Sequence, residues 1–339
     1  MSGVAGFPFL LLRSGDYADP VLKKQALCEI CELQGDIKMS DIGGQAVIEG
    51  VMMRAGNFYT VAVRSPEKNI VCKKENIREL PGFLKWPLVR GVVALFQALS
   101  IGVKALMYSA EASGQEEEKP TSFSLFLTVF LAFAIGIGLF LLLPLYGTKL
   151  LGILYVPIND SSLIFNVVDG LLRVMVFLIY ILSISMSGEI KRVFQYHGAE
   201  HKVVHAFEAG DELTPENADK YSTLHPRCGT SFLIMVMLLS ILIFSLIPKD
   251  WPFFEKFLSR FVLMPLIAGL SYEFIKFSSK RLKSPIVRLI AMPGLWLQKI
   301  TTGIPSLDQI EVAIKALKEV LDMDPKRTHT SESKNNVIG

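Results

Sequence analysis

Four of the five histidines in this 339-residue chain lie within a 29-residue stretch, and three of them share a helical spacing. His197, His201 and His205 recur every fourth residue. At about 100° per residue, their side chains cover roughly 80° of one helix face, and Glu208 falls on the same face. Imidazoles one turn apart can converge on a single divalent metal ion. The spacing therefore predicts a metal-binding helix.

Glu200 is the candidate catalytic group of this helix. With His197 and His201 it forms the pattern H-x-x-E-H, the inverted metallopeptidase signature, in which the glutamate takes the proton of a metal-activated water. A divalent transition metal is expected, with zinc favoured and iron or manganese as alternatives. A catalytic zinc needs a third protein ligand. The sequence leaves four candidates for it: His205, His225, Cys228 and Glu273.

Two other interpretations of these residues stay open. In the first, a closed site of four ligands (His197, His201, His225 and Cys228) has a purely structural role. In the second, the histidines bind no metal and are solvated or hydrogen-bonded side chains of an amphipathic helix. The number of ligands separates a structural site from a catalytic one, because a catalytic site keeps an open position for water.

The composition places these residues in a membrane protein. Apolar residues make up 51% of the chain and charged residues only 20%, and the mean hydropathy is +0.41. An ordinary soluble domain has about a quarter charged residues. Residues 121–147 and 228–248 contain no charged side chain. These values exclude a purely soluble enzyme and a disordered chain. The formal net charge of +3, without a basic block, predicts no nucleic-acid partner.

Four segments are predicted to cross the bilayer as helices. Basic residues set their orientation: the loop 188–230 carries five lysines and arginines, whereas the loop 144–162 carries one. The positive-inside rule therefore places the histidine-rich loop and both termini in the cytoplasm, as in a multi-pass protein of the inner (plasma) membrane. Asp169 and Arg173, four residues apart in the second segment, predict an ion pair, for which an interfacial position is favoured. The segments are 122–143, 163–187, 231–247 and 257–277.

The remaining sequence predicts a small cytoplasmic α+β portion. Residues 58–63 and 70–72, separated by turn residues, are typical of a β-hairpin. The apolar stretch 86–110 is either an interfacial helix, which is favoured, or a further span. Ser306 and Gln309 form a capping box that opens an amphipathic helix, expected to pack on this portion. The fold class is thus mainly α, a polytopic helical membrane protein with about four spans and a small α+β portion.

This interpretation divides the chain into seven parts. They are an N-terminal extension (1–38), a cytoplasmic α+β segment with an interfacial helix (39–120), spans 1 and 2 (121–187), a histidine-rich metal-site loop and helix (188–230), spans 3 and 4 (231–277), cytoplasmic C-terminal helices (278–325) and a disordered tail (326–339).

Several motifs resemble the YqhQ-like family of bacterial integral membrane proteins, classed as domain of unknown function 1385. The resemblance covers about residues 39–323. It implies an integral membrane protein and a predicted metal-dependent enzyme, but supplies neither substrate nor reaction. The motifs are residues 43–54 (GGQAVIEGVMMR), 196–208 (YHGAEHKVVHAFE), 222–232 (STLHPRCGTSF), 214–217 (TPEN) and 271–273 (SYE).

The leading functional hypothesis is a metal-dependent hydrolase at the cytoplasmic membrane face, acting on an unknown peptide or lipid-linked substrate. The alternative is a non-catalytic, metal-binding membrane scaffold or biogenesis factor. A transporter is a weaker third interpretation, because four spans without internal repeats are atypical of transporters. The expected partners are the lipid bilayer and the substrate, and a homo-oligomer stays open.

Overall fold

The computed structural model describes residues 42–77, 81, 86, 89–114, 121–248, 251–279 and 284–323. The predicted N-terminal extension, the charged linker before the first span and the predicted disordered tail lie outside the described residues.

The amino-terminal part is a four-stranded antiparallel sheet with the strand order β1-β2-β3-β4. Its strands are β1 (Ile42–Val47), β2 (Gly50–Ala55), β3 (Phe58–Arg64) and β4 (Ile70–Asn76). The predicted hairpin is confirmed as β3 and β4, which pair from Phe58↔Asn76 to Arg64↔Ile70. The glycine-rich stretch before it, to which no element was assigned from sequence, forms β1 and β2.

Eleven helices follow in the described part of the chain, together with one π-helical turn, Gly138–Leu142, between the second and third of them. The helices are α1 (Val89–Ala112), α2 (Ser122–Ile137), α3 (Leu143–Leu154), α4 (Pro157–Asp160), α5 (Ser162–Ser185), α6 (Gly188–Ala209), α7 (Pro215–Asp219), α8 (Gly229–Phe244), α9 (Phe253–Ser279), α10 (Pro285–Thr301) and α11 (Leu307–Leu321).

Among the described residues, four helical stretches are long and apolar enough to cross a membrane: Val89–Ala112, Phe126–Leu154, Ser162–Ser185 and Phe254–Ser278. The predicted fold class is thereby confirmed, but the set of four differs from the predicted one. The stretch that was expected to be interfacial forms α1, which is long and apolar enough to cross a membrane. The predicted third span is α8, a helix of 16 residues, or about 24 Å, which is shorter than the hydrocarbon core.

The first span is longer than the sequence predicted. A loop was expected from residue 144 onward, yet the helix continues to Leu154. Pro144 follows the π-helical turn, in which the Leu143 N–H donates to the Gly138 carbonyl five residues earlier. This wider turn lets the helical stretch continue through a residue that has no N–H. The π-helical turn immediately precedes it, so the proline starts a new helical segment instead of ending the old one.

The sheet lies between helices on both faces. On one face, Ile101 and Ala105 of α1 pack against a cluster that includes Val47 and Val61. On the other face lies α11, where Met323, just after the helix, approaches Thr60 of β3 at 3.6 Å. The predicted capping box at the start of α11 is confirmed, and so is its packing on the sheet portion.

A buried cluster of charges joins α5, α8 and α9. The carboxylate of Asp169 accepts hydrogen bonds from Arg173 and from Arg260 of α9, each at 2.9 Å. Arg260 also donates to the Asn166 side chain at 3.1 Å, and both guanidinium groups lie over the Phe244 ring of α8. The predicted Asp169–Arg173 pair is present, and the structure adds a second arginine to it.

Candidate metal centre

Helix α6 carries the histidines, and it runs unbroken through Gly198. A Cβ atom on Gly198 would lie 2.0 Å from the carbonyl oxygen of Gly303. The N–H of Gly303 donates to the carbonyl of Phe194 at 2.7 Å. The glycine therefore allows the segment after α10 to cross α6 in direct backbone contact.

His197 is oriented by the end of α10. Its Nδ1 lies 2.8 Å from the carbonyl oxygen of Thr301. Because a carbonyl can only accept, Nδ1 carries the proton and Nε2 carries a lone pair. That Nε2 lies 3.2 Å from Sγ of Cys228. The lone pair of His197 Nε2 is thus directed at a thiol.

His201 has the same tautomer and is more deeply buried. Its Nδ1 donates to the carbonyl of Thr223, which leaves a lone pair on Nε2. This Nε2 is buried and has no hydrogen-bond partner among the described residues. Burial lowers the pKa of His201, against the opposite effect of the neighbouring Cys228 thiol and the Thr223 carbonyl. Buried polar atoms without a partner are rare and destabilising, so this nitrogen is a candidate metal ligand.

Cys228 completes the first group of candidate ligands. It is the N-cap residue of α8, and its Sγ accepts a hydrogen bond from the Thr230 N–H at 3.4 Å. The ligand atoms of His197, His201 and Cys228 all lie within 4.8 Å of one another. Two imidazole nitrogens and one thiol sulfur are a donor set that suits zinc.

Glu200 lies beside this group, under strand β1. Its side chain is buried, and its Oε2 has no hydrogen-bond partner within the described part of the chain. Burial raises the pKa of Glu200, against the attraction of His197 and His225 and a hydrogen bond from the Gly44 N–H. A Cβ atom on Gly44 would lie 2.8 Å from the Glu200 carboxyl carbon, so only glycine leaves room for this carboxylate.

His205, Glu208 and His225 form a second group whose ligand atoms also lie within 4.8 Å of one another. The polar side chains of this group already have hydrogen-bond or ion-pair partners within the protein. His205 donates from Nε2 to the Leu224 carbonyl at 2.9 Å, and the Arg227 N–H donates to His225 Nδ1 at 3.3 Å. Glu208 forms an ion pair with the Arg227 side chain and lies 3.5 Å from His225 Nε2. Burial lowers the pKa of both histidines.

Residues of both groups and of α10 hold the loop that delivers Cys228. His201 and His205 donate to successive carbonyl oxygens of this loop, those of Thr223 and Leu224. Gln298 of α10 binds the His225 peptide on both sides. The Gln298 side chain accepts from the His225 N–H at 2.8 Å and donates to its carbonyl at 2.9 Å. Sequence analysis did not identify Gln298, because a single glutamine in an apolar helix carries no recognisable pattern.

Glu273 belongs to neither group. It forms a two-pronged ion pair with Arg90 of α1, with one contact at 2.6 Å and the other at 2.5 Å. The structure therefore brings together all the other sequence-predicted site residues around α6 and places Glu273 at the contact between α1 and α9.

A cavity of about 420 Å³ opens onto the first group. Most of its lining comes from residues 42–46 of β1, from α6, and from the loop that ends at Cys228 with the first residues of α8. Ala98 of α1 contributes from the opposite side of β1. A small molecule or a chain segment can therefore reach the side chains of His197, Glu200 and His201.

These features define a mostly helical protein with four span-capable helices, an amino-terminal sheet and a histidine-rich cavity. The chain belongs to the family described as "Protein of unknown function (DUF1385)", whose sequence profile matches residues 86–323. That range includes all of α6 and the Cys228 loop.

One curated relative is the "Uncharacterized protein YqhQ" of Bacillus subtilis (strain 168). It is 34% identical over 314 residues, which cover 87% of this chain and 97% of the relative. No solved structure matches the chain. The resemblance to the YqhQ-like family is confirmed, and metal dependence stays a prediction.

Proposed function

We propose that this protein is a metal-dependent hydrolase in which His197, His201 and Cys228 bind a divalent transition metal, zinc above all. The observation that carries the proposal is the buried Nε2 of His201, a lone pair with no hydrogen-bond partner in the described structure. Its Nδ1 is fixed by a carbonyl, as in protein metal sites where a second contact sets the tautomer of a ligating histidine.

The number of ligands favours catalysis over a structural site. The first group supplies three donors, which is the number that catalytic zinc sites use, with the fourth position left for water or substrate. The cavity gives that position access to solvent. A bound zinc ion would lower the pKa of a water molecule and polarise a carbonyl group.

Glu200 is the proposed general base. Its unpartnered Oε2 takes a proton from the attacking water, and the glutamate passes that proton to the leaving amine or alcohol as the scissile bond breaks. Burial raises the pKa of this carboxyl group, which makes it a stronger base than an exposed glutamate.

The membrane assignment supports a site at the cytoplasmic surface of the inner membrane. Helix α6 follows α5 directly and packs against β1, so the sheet and the histidines lie on one side of the apolar helices. The basic residues of the loop 188–230 favour the cytoplasm for that side. Because α6 and α11 both pack on the sheet, this topology requires that α8 crosses the bilayer together with α9 and that α1 stays on the cytoplasmic side.

A second candidate function is a metal-binding scaffold. It is favoured by the position of Cys228 at the first turn of α8, because an ion held by α6 and Cys228 would fix the histidine helix to an apolar helix. In that case a fourth protein ligand would close the coordination shell and no water would be activated.

Metal analysis of the purified protein, prepared without an affinity histidine tag, tests the proposal. We expect stoichiometric zinc in the wild type, its loss in His201→Ala and Cys228→Ala, and its retention in Glu200→Gln. Glu273→Gln is the matched control, since this carboxylate lies outside both groups. X-ray absorption should show three protein donors and one oxygen. A wild type that binds no metal after reconstitution contradicts both functions, and four protein donors support the scaffold.

A further inference from the structure

Strand β1 lies at an edge of the described sheet, and we call this its free edge. It pairs with β2 in the register Val47↔Gly50 across a two-residue turn, and no strand of the described sheet lies on its other side. In an antiparallel pair, alternate residues direct both backbone groups at the partner, beginning with the pair that closes such a turn. The intervening residues, Ile42, Gly44 and Ala46, therefore direct their N–H and C=O groups away from β2.

One contact supports this assignment independently. Glu200 accepts a hydrogen bond from the Gly44 N–H, which is available only if it points away from β2. The Gly44 carbonyl and both backbone groups of Ala46 have no hydrogen bond to another described residue outside the β1–β2 ladder. The edge thus offers the carbonyl groups of Gly44 and Ala46 as acceptors and the Ala46 N–H as a donor, spaced as another strand would need them.

The free edge opens into the cavity of the candidate metal centre. Residues 42–46 line that cavity, with α1 on one side of the strand and α6 on the other. Gly43 has open space where its Cβ would be, so no described side chain crowds β1 at that position. A strand laid along β1 would pass beside Glu200, His197 and His201.

We propose that the substrate of this site is an extended polypeptide segment that adds to the free edge of β1 as a fifth strand. This inference rests on the proposed hydrolase function and names its substrate class. Main-chain hydrogen bonds to Gly44 and Ala46 would hold the segment and present one of its carbonyl groups to the metal. An acyl chain has no groups that could satisfy the backbone of Ala46, so a lipid would leave this edge without partners.

The test compares hydroxamates, which bind zinc through the same headgroup and differ in what is attached to it. Acetohydroxamate, octanoyl hydroxamate and N-acetyl-trialanine hydroxamate are titrated into the full-length, zinc-loaded protein in lipid nanodiscs. We expect the trialanine compound to bind at least about tenfold more tightly than acetohydroxamate, as two or three main-chain hydrogen bonds would provide. Methylation of its backbone nitrogens should abolish the gain.

Ala46→Pro removes the outward N–H while leaving the β1–β2 ladder intact, because edge strands accept proline where the N–H faces away from the partner. This variant should keep its zinc and its affinity for acetohydroxamate, but it should no longer bind the trialanine compound more tightly than acetohydroxamate. Ala46→Val, which keeps the N–H, should retain it. Should Ala46→Pro fail to fold, the methylated compounds still decide the question on the wild type.

The outcomes separate the two proposals. If acetohydroxamate binds but trialanine adds nothing, or if methylation has no effect, the polypeptide substrate is wrong and the hydrolase proposal stands. If octanoyl hydroxamate binds most tightly and Ala46→Pro leaves it unchanged, the ligand is an acyl chain and the inference is also wrong. If no hydroxamate binds to zinc-loaded protein, the open metal site itself is wrong.

Discussion

The protein contains two buried polar clusters of opposite character. Around Asp169, two arginines direct donors at one carboxylate, and both of its oxygens are occupied. Around His201, the rings turn their N–H groups toward backbone carbonyls and leave lone pairs directed at the Cys228 thiol. The first cluster has its donors and acceptors matched within the helices that carry it, whereas the second has an excess of acceptors at one point.

The two clusters show how buried polar side chains with a structural role differ from those of a candidate functional site in a membrane protein. An ionisable group between apolar helices is by default a functional candidate. Here the charges near Asp169 bind one another and connect three helices, which is a structural role. The histidines face a cavity, and under the proposed function a metal ion would bind their lone pairs. A buried acceptor without a partner among the described residues, here His201 Nε2, therefore distinguishes the candidate site, whereas buried charge alone does not.

The largest expected effect is in the charge cluster. Asp169→Asn leaves two buried guanidinium groups without a counter-charge and should lower the free energy of unfolding by about 3–5 kcal/mol. Arg260→Met leaves a neutral Asp169–Arg173 pair and should be less destabilising, with zinc binding unchanged. Thermal unfolding in detergent measures both variants. An Arg260→Met protein that is the less stable of the two would contradict the role of Asp169 as the shared counter-ion.

The next effect is at the helix crossing of the histidine cluster. Gly198→Ala places a methyl group against the Gly303 carbonyl, so the two segments must separate at a cost of about 1–3 kcal/mol. Zinc affinity should fall as well, since Thr301 next to this crossing orients His197. Gly136→Ala in α2, which meets open space, is the matched control and should be neutral or stabilising. Equal melting temperatures for the two variants would refute the close contact.

A smaller effect is expected at the loop that carries Cys228. Gln298→Leu removes both hydrogen bonds to the His225 peptide and should weaken zinc binding by about tenfold, as loss of an outer contact typically does. Competition with a chromogenic chelator measures the affinity. Lys299→Met, at the adjacent exposed position of the same helix, should have no effect. An unchanged affinity in Gln298→Leu would show that the loop needs no support from α10.

The smallest effect is the pH dependence of the metal-free protein. Burial lowers the pKa of His205 from its ordinary value of 6.5, so below that pH the unfolded chain binds the proton first. The stability that the neutral ring contributes is present above pH 6.5 and is lost as the pH falls. Between about pH 7 and pH 6, His205→Asn should lose roughly 0.5 kcal/mol less stability than the wild type. An equal loss of stability in the wild type and in His205→Asn between the two pH values would contradict this shift.

Short sequence patterns predicted those structural features that depend on residues close together in the chain. The histidine face of α6, the β3–β4 hairpin and the capping box of α11 each follow from residues a few positions apart. The apolar segments predicted the fold class for the same reason. Their boundaries were less accurate, because Pro144 can either end a helix or begin one, and only the π-helical turn before it decides between these.

Contacts between distant parts of the chain could not be predicted in this way. Nothing near Glu273 reveals that Arg90, 183 residues earlier, is its partner. Arg260 likewise gives no sign of its contact with Asp169. The free edge of β1 depends on which strands pair, and the position of Gly44 over Glu200 depends on how α6 packs. These are properties of the tertiary structure, which no short window of sequence contains.

The long separation between His197 and its orienting carbonyl has a consequence for biosynthesis. Thr301 is 104 residues further along the chain, so the ribosome adds it long after the histidines have been made. Until α10 has been synthesised and has packed against α6, the His197 imidazole lacks the contact that fixes its tautomer. The nascent chain therefore carries the complete H-x-x-E-H motif without a finished site. Under the proposed function, metal loading would therefore follow the synthesis and packing of α10.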